Sequence, residues 1–197
     1  MSGSCMDANQ SAAPALPDAE ADLRVAAMVA NHHSQVWRSL RRLGLSECDA
    51  DDASQQVFLV AHRRLADIAP ETEQSFLLQT ALRVASEFRR SLRRRREDNR
   101  EDLPVVVDTA ASPEELADRQ RARAVLDRAL GAMPMDLRQV FVLFDLEELT
   151  TVEVSNVLHI PKGTVASRLR RAREVFRKTV LRLTAPRSSQ YGAGGKL

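Results

Sequence analysis

Residues 160–180 read IPKGTVASRLRRAREVFRKTV. Val165, Leu169, Ala172 and Phe176 recur at spacings of four, three and four, which puts them on one face of a helix. The rest of that helix is basic. Residues 160–182 hold eight basic side chains (Lys162, Arg168, Arg170, Arg171, Arg173, Arg177, Lys178 and Arg182) against a single acid, Glu174. A helix face that is merely solvated interleaves acids one turn from its bases, and this one does not. Just upstream, Thr150 and Glu153 form a capping box that opens a short helix through Val154, Val157 and Leu158. A short helix, a break of four to five residues and a longer helix make the outline of a helix-turn-helix. In that arrangement the first helix braces the second, which offers its N-terminal residues to base edges. Lys162, Thr164, Ser167, Arg168, Arg171 and Arg173 are therefore candidate DNA contacts, since arginine pairs bidentately with guanine and both bases neutralise phosphate.

Upstream of this motif the apolar periodicity is helical almost throughout. Val25, Met28, Val29, Val36, Leu40 and Leu43 trace a first helix, which Gly44 is placed to end. The run SECDADD supplies N-cap residues and acids for the start of a second helix, which carries Val57, Ala61, Leu65 and Ile68 and stops at Pro70. A third helix starts near Glu73 and passes through Phe76, Leu77, Ala81, Val84 and Phe88 into an arginine run. Ser112-Pro113 with Glu115 is a second capping box, opening a helix that ends near Gly131, and residues 137–146 form a further apolar helix. The expectation is an all-α protein of two small helical domains joined by a flexible linker, the second containing the helix-turn-helix. Its divisions are a disordered tail over 1–21, a helical domain over 22–96, an acidic linker over 97–111, a helix-turn-helix domain over 112–184 and a second tail over 185–197.

Twenty-nine Lys and Arg against 27 Asp and Glu leave a net charge of only +2, so total charge does not announce a polyanion partner. Its distribution does. Six arginines stand within residues 89–96, and the acidic stretch that follows separates them from the basic helix at 160–182, which suits two contacts with one long polyanion. Two cysteines, Cys5 and Cys48, do not make a disulfide framework, and a reducing compartment fits. No apolar run approaches the length of a membrane span and the N-terminus lacks the layout of a secretory signal, so a cytoplasmic location is expected.

The residues 132–176 resemble region 4 of bacterial sigma factors, particularly the extracytoplasmic-function (ECF) group. The matching residues are Pro134, Arg138, Val140, Phe141, Leu143, Gly163, Thr164, Val165, Ser167, Arg168, Leu169, Arg171, Ala172 and Arg173. The resemblance implies that this domain binds the minus-thirty-five promoter element. A second stretch, DADDASQQVF at residues 49–58, is similar to a signature of sigma region 2. There it implies contact with core RNA polymerase through Asp49, Asp52, Gln55, Gln56 and Phe58. The helix beginning SFLLQTALRVASEFRR at residue 75 resembles the one that reads the melted minus-ten strand, making Arg83, Glu87, Arg89, Arg90, Arg93 and Arg94 candidate contacts. Arg83 stands where the family places asparagine and Glu87 where it places aspartate. Region 4 departs too: Glu148 and His159 replace glycines on either side of the bracing helix, each at a cost of about 1 kcal/mol if the backbone is left-handed there.

Nothing else in the chain carries chemistry of its own. Adjacent His32 and His33 diverge by about 100 degrees on a helix and do not share an ion, so no metal or cofactor is expected. No phosphate loop, nucleophile elbow or acid-base pair is present, which argues against an enzyme. The implied function is a sigma factor, with core RNA polymerase, promoter DNA and an anti-sigma factor as partners and no membrane insertion. Two alternatives stay open: a stand-alone helix-turn-helix regulator, and a sigma-like adaptor that does not read DNA.

Overall fold

A computed structural model of the chain describes residues 18–98 and 113–185. Most of the expected tails and linker lies outside those residues, but residues 18–21, expected in the first tail, begin a helix, and 97–98, expected in the linker, end one. Seven α-helices account for most of what is described: α1 (Asp18–Arg42), α2 (Glu47–Arg63), α3 (Glu73–Asp98), α4 (Pro113–Gly131), α5 (Met135–Phe141), α6 (Thr151–Leu158) and α7 (Lys162–Thr184). No strand occurs among the described residues. The fold is all-α, with α1–α3 and α4–α7 as two helical clusters.

In the first cluster, α1 ends where Gly44 adopts φ +100°, a conformation closed to a side chain without strain. Ser46 caps α2, its hydroxyl accepting from the Asp49 N–H at 3.1 Å. The sequence expectation ran α2 on through Leu65 and Ile68, but the α-helix stops at Arg63 and two short 3-10 turns, Leu65–Asp67 and Pro70–Thr72, lead into α3. Arg24 explains how this irregular connection is held. Its guanidinium pairs with Glu73 at 3.0 Å and also donates to the carbonyls of Leu65 and Ile68, tying the start of α3 to the irregular connection.

The second cluster has two departures from regular helix. After Phe141, α5 widens into a π-helical turn (Val142–Leu146), closed by the Glu147 N–H donating to the Val142 carbonyl at 2.9 Å. Glu148 and His159 then take φ +60° and +52°, and they are the two non-glycine residues with positive φ among those described. These are the positions where the sequence lacks the expected glycines. Between the left-handed residues, α6 is capped by Thr150, whose hydroxyl accepts from the Glu153 N–H while the Glu153 carboxylate accepts from the Thr150 N–H at 2.7 Å.

The two clusters share a core. One continuous apolar core contains Met28, Leu40, Val57, Leu77, Leu78 and Leu82 from the first and Val140, Leu143, Val154, Val157, Val165 and Leu169 from the second. A smaller core of Leu130, Met133, Leu137, Phe141, Val142 and Ala172 seats α4 and α5 against α7. Polar groups stitch the same junction. Arg138 of α5 donates to the Arg42 carbonyl at 2.5 Å, and a Cβ added to Gly44 would stand 3.1 Å from its guanidinium. Burial, and then the charge of Arg89, lower the Arg138 pKa to about 10, with Asp127 opposing, so it stays protonated at neutral pH.

Two stability outcomes follow from the special backbone positions. Replacing Glu148 with glycine relieves the left-handed strain and raises the unfolding free energy by about 0.5–1 kcal/mol in urea titrations followed by helical circular dichroism. An unchanged or lower midpoint would mean that Glu148 is not strained. Thr150→Ala, by contrast, costs about 1 kcal/mol at neutral pH. Hydrogen bonds from the Thr150 side chain and backbone hold the Glu153 carboxyl below its ordinary range. A depressed carboxyl stabilises the fold above its unfolded pKa and loses that contribution as pH falls through the folded one. The cost of Thr150→Ala therefore shrinks in acid, and a cost that grew on acidification would contradict the capping role of Glu153.

Candidate nucleic-acid interface

The helix-turn-helix is built from α6, a three-residue turn and α7. The turn, His159 to Pro161, is shorter than the four to five residues expected, because Lys162, Gly163 and Thr164 already form the first turn of α7. Left-handed His159 reverses the chain. The Ser155 hydroxyl then donates to the Ile160 carbonyl at 2.6 Å, and the Pro161 carbonyl accepts from the Thr164 and Val165 N–H groups. Val165, Leu169 and Ala172 are buried as the spacing requires, and half-buried Phe176 stacks on Phe141 with ring centroids 4.9 Å apart.

Burial of that stripe decides which polar side chains face outward. Lys162, Ser167 and Arg171 are exposed, together with Ala166, Arg170 and Arg177. Ser167 turns its hydroxyl back to the Thr164 carbonyl at 3.0 Å, and Thr164 itself is half-buried. Two of the expected contacts already have acidic partners within the protein, although Arg173 stays exposed. Arg168 lies half-buried, 3.6 Å from Asp136 of α5. Arg173 forks onto Asp145, at 3.2 and 3.0 Å from Nε and 2.5 Å from Nη2, and lies over the Phe144 ring. That hydrogen-bonded carboxylate raises the Arg173 pKa. Arg173 thus braces α7 against the π-helical turn. Sequence reasoning passed over Arg170, although its spacing of four from Ala166 and three from Ser167 put it on the outward ridge. An open groove of about 570 Å³ runs beside this ridge, lined by Thr151, Ala166, Leu169, Arg170, Arg173, Glu174 and Arg177.

On α3, Arg83, Glu87, Arg90 and Arg94 are exposed and spaced four, three and four apart, so they share one stripe. Arg93 is exposed as well. Arg89 is not on that surface. It is half-buried, donating to the Ala85 carbonyl at 3.2 Å and lying 2.6 Å from the Met135 sulfur, and burial lowers its pKa. A residue six positions along from Arg83 points elsewhere on the helix, which is why it reaches α5.

On α2, Asp52, Gln55 and Gln56 form an exposed ridge with Leu59, a 55% exposed apolar side chain that sequence reasoning missed. Asp49 belongs to the helix cap, with the Ser46 hydroxyl 2.5 Å from its carboxylate. Phe58 is corrected from a surface contact to a core residue: it is buried, its ring stacked 6.1 Å from that of His33. The following residue, Leu59, carries the apolar surface instead.

Comparison with known proteins agrees with this architecture. Residues 123–175 match the family model for sigma-70, region 4. The ECF RNA polymerase sigma factor SigE of Mycolicibacterium smegmatis is 31% identical over 151 residues, covering 76% of this chain and 59% of that protein. RNA polymerase sigma-H factor of Pseudomonas aeruginosa is 28% identical over 141 residues, covering 67% of this chain and 73% of its own length. Alignments of this length span both helical clusters. The chain thus covers somewhat more than half of the first relative and about 73% of the second. Among solved structures, CnrH in complex with the cytosolic domain of CnrY superposes with a TM-score of 0.58 at 24% identity, covering 81% of this chain and 92% of that one. The sigma factor RpoE in complex with the anti-sigma factor NepR from Bartonella quintana gives 0.58 at 17%, covering 83% and 95%, and both likenesses concern the fold. Residues 123–175 thus carry a sigma-70 region 4, and over most of its length the chain is similar to extracytoplasmic-function sigma factors.

Proposed function

We propose that this protein is a sigma factor that binds core RNA polymerase in the cytoplasm and directs promoter recognition and transcription initiation. The observation that carries the reading is the outward ridge of α7: Lys162, Arg170 and Arg171 stand exposed on a helix braced by α6, in a chain whose relatives are RNA polymerase sigma factors. In this role α7 enters the major groove of the minus-thirty-five element. Arg170 and Arg171 meet base edges or phosphates there, while Lys162 at the start of the helix neutralises phosphate. The α3 stripe of Arg83, Arg90 and Arg94 attracts the backbone of the melted minus-ten strand. Asp52, Gln55, Gln56 and Leu59 dock on the polymerase. The role breaks no covalent bond and requires no cofactor. An anti-sigma partner fits the same reading, because RpoE of Bartonella quintana was solved with one.

Arginine substitutions divide by their surroundings. Arg170→Ala and Arg171→Ala weaken promoter binding by the holoenzyme about ten-fold or more each, on the scale of one lost bidentate contact, while leaving the helical signal intact. Arg173→Ala acts through the fold, lowering thermal stability because Asp145 loses its partner. If Arg173→Ala were as stable as the parent and only promoter binding fell, its assignment as a brace would be wrong.

Run-off transcription with purified core enzyme tests the role directly. The protein initiates RNA from templates of its own genome, and the holoenzyme, neutralising about five phosphates, binds with a log–log salt slope of about −4 to −5. Tight binding to a palindromic site by the protein alone would favour a stand-alone regulator. Polymerase binding with no initiation would favour an adaptor.

A further inference from the structure

Arg168 and Arg173 border the buried stripe of α7 on either side, so they stand at the two edges of its exposed face. Each edge has its own carboxylate: Asp136 of α5 beside Arg168, and Asp145 of the π-helical turn beside Arg173. The two pairs are not alike. Arg173 donates from two of its nitrogens to Asp145 and lies over the Phe144 ring. Arg168 is held by charge alone, its Nε standing 3.6 Å from Asp136, which is too far for a hydrogen bond. Among the described residues Asp136 is its one ion-pair partner. The Asp136 side chain is 52% exposed and that of Arg168 32%, so water reaches both and screens the attraction. A pair this loose can steady a helix and still yield to a stronger anion.

Thr164 and Arg171 come four residues before and three after Arg168, so the three share one side of α7. Arg171 is exposed and belongs to the surface assigned to DNA. A helix lying in the major groove offers its ridge to base edges and its sides to the phosphates of the strands. Arg168 thus stands beside the DNA surface while paired with an acid. Phosphate approaching that guanidinium either displaces the Asp136 carboxylate or sits next to it, and both weaken the contact.

We infer that Asp136 is a positioning residue for DNA binding: acting through Arg168, it withholds one guanidinium from phosphate and lowers the affinity of the helix-turn-helix for duplex of any sequence. The inference rests on the proposed function. A phosphate contact carries no sequence information, so weakening it leaves more of the recognition to the base contacts of the ridge. Asp136 also lies in the first turn of α5, where a carboxylate suits the positive end of a helix. That second role acts on stability and leaves the salt dependence of DNA binding alone.

Salt titrations of the full chain on a duplex of unrelated sequence, followed by fluorescence anisotropy, distinguish the two roles. Asp136→Asn tightens binding about three-fold, the scale of an exposed ion pair. It also steepens the log–log salt slope by up to about 0.9, the mark of one more phosphate neutralised. Asp136→Glu keeps the charge and binds as the parent does. In an Arg168→Ala background Asp136→Asn changes neither quantity. Unchanged or weaker binding by Asp136→Asn, an unchanged slope, or a tightening that survives the loss of Arg168 overturns the inference. Run-off transcription tells its failure from that of the proposed function. A parent that initiates RNA while Asp136→Asn leaves the slope unchanged keeps the sigma role and discards the role of Asp136. A parent that initiates none but shows the Arg168-dependent change in slope loses the sigma role and keeps that of Asp136, and a parent that binds no duplex at low salt loses both.

Discussion

The outward ridge of the helix-turn-helix depends on the inward stripe of α7. Val165, Leu169 and Ala172 give up contact with water against α5, α6 and the core shared with the first cluster. Their burial sets the rotation of the helix about its own axis. Once that rotation is set, the outward direction of Lys162, Arg170 and Arg171 follows from 3.6-residue geometry. Burying three small or medium apolar side chains contributes on the order of 1–3 kcal/mol apiece, well above the few tenths that an exposed ion pair supplies. Charge therefore decorates an orientation that packing has already chosen.

Much of this was legible in the sequence because it depends on local pattern. The Thr150 and Glu153 box and the end of α1 at Gly44 follow from residue type at a given position, while the left-handed backbone at Glu148 and His159 followed from the resemblance, which places glycine there. Contacts between distant residues were not legible. Nothing near Arg168 in the chain announces Asp136, and nothing near Arg89 announces Met135. Spacing told which arginines share a face of one helix, but not which of those faces another helix would cover. Phe58 was named as a surface contact from the resemblance alone, and its burial beside His33 is a contact between helices that the resemblance does not carry. The shared core was not legible either. Two helical clusters separated by an acidic stretch suggest independence, yet the apolar residues left over on α3 and α6 are enough to join them.

The polar pairs inside the protein divide along the same line. Arg173 with Asp145 and Arg168 with Asp136 lie within the second cluster and steady α7. Arg24 with Glu73 lies within the first and secures the irregular path into α3. Arg42 and Arg138 bridge the two. Arg24 and Arg42 each satisfy a carboxylate and a carbonyl together, a use that suits the planar fork of arginine better than the point charge of lysine. A count of basic residues thus overstates the charge left for DNA: several of the arginines are architectural.

The π-helical turn at Val142–Leu146 makes chain length itself a structural variable. Removing one residue there would tighten the turn to ordinary α-helix and swing everything beyond it by about 100 degrees. Glu147 would then face solvent and Asp145 would leave Arg173, although no side chain had been altered. In this segment a deletion is a more drastic change than most substitutions, and variation among relatives is expected to spare its length before it spares its composition.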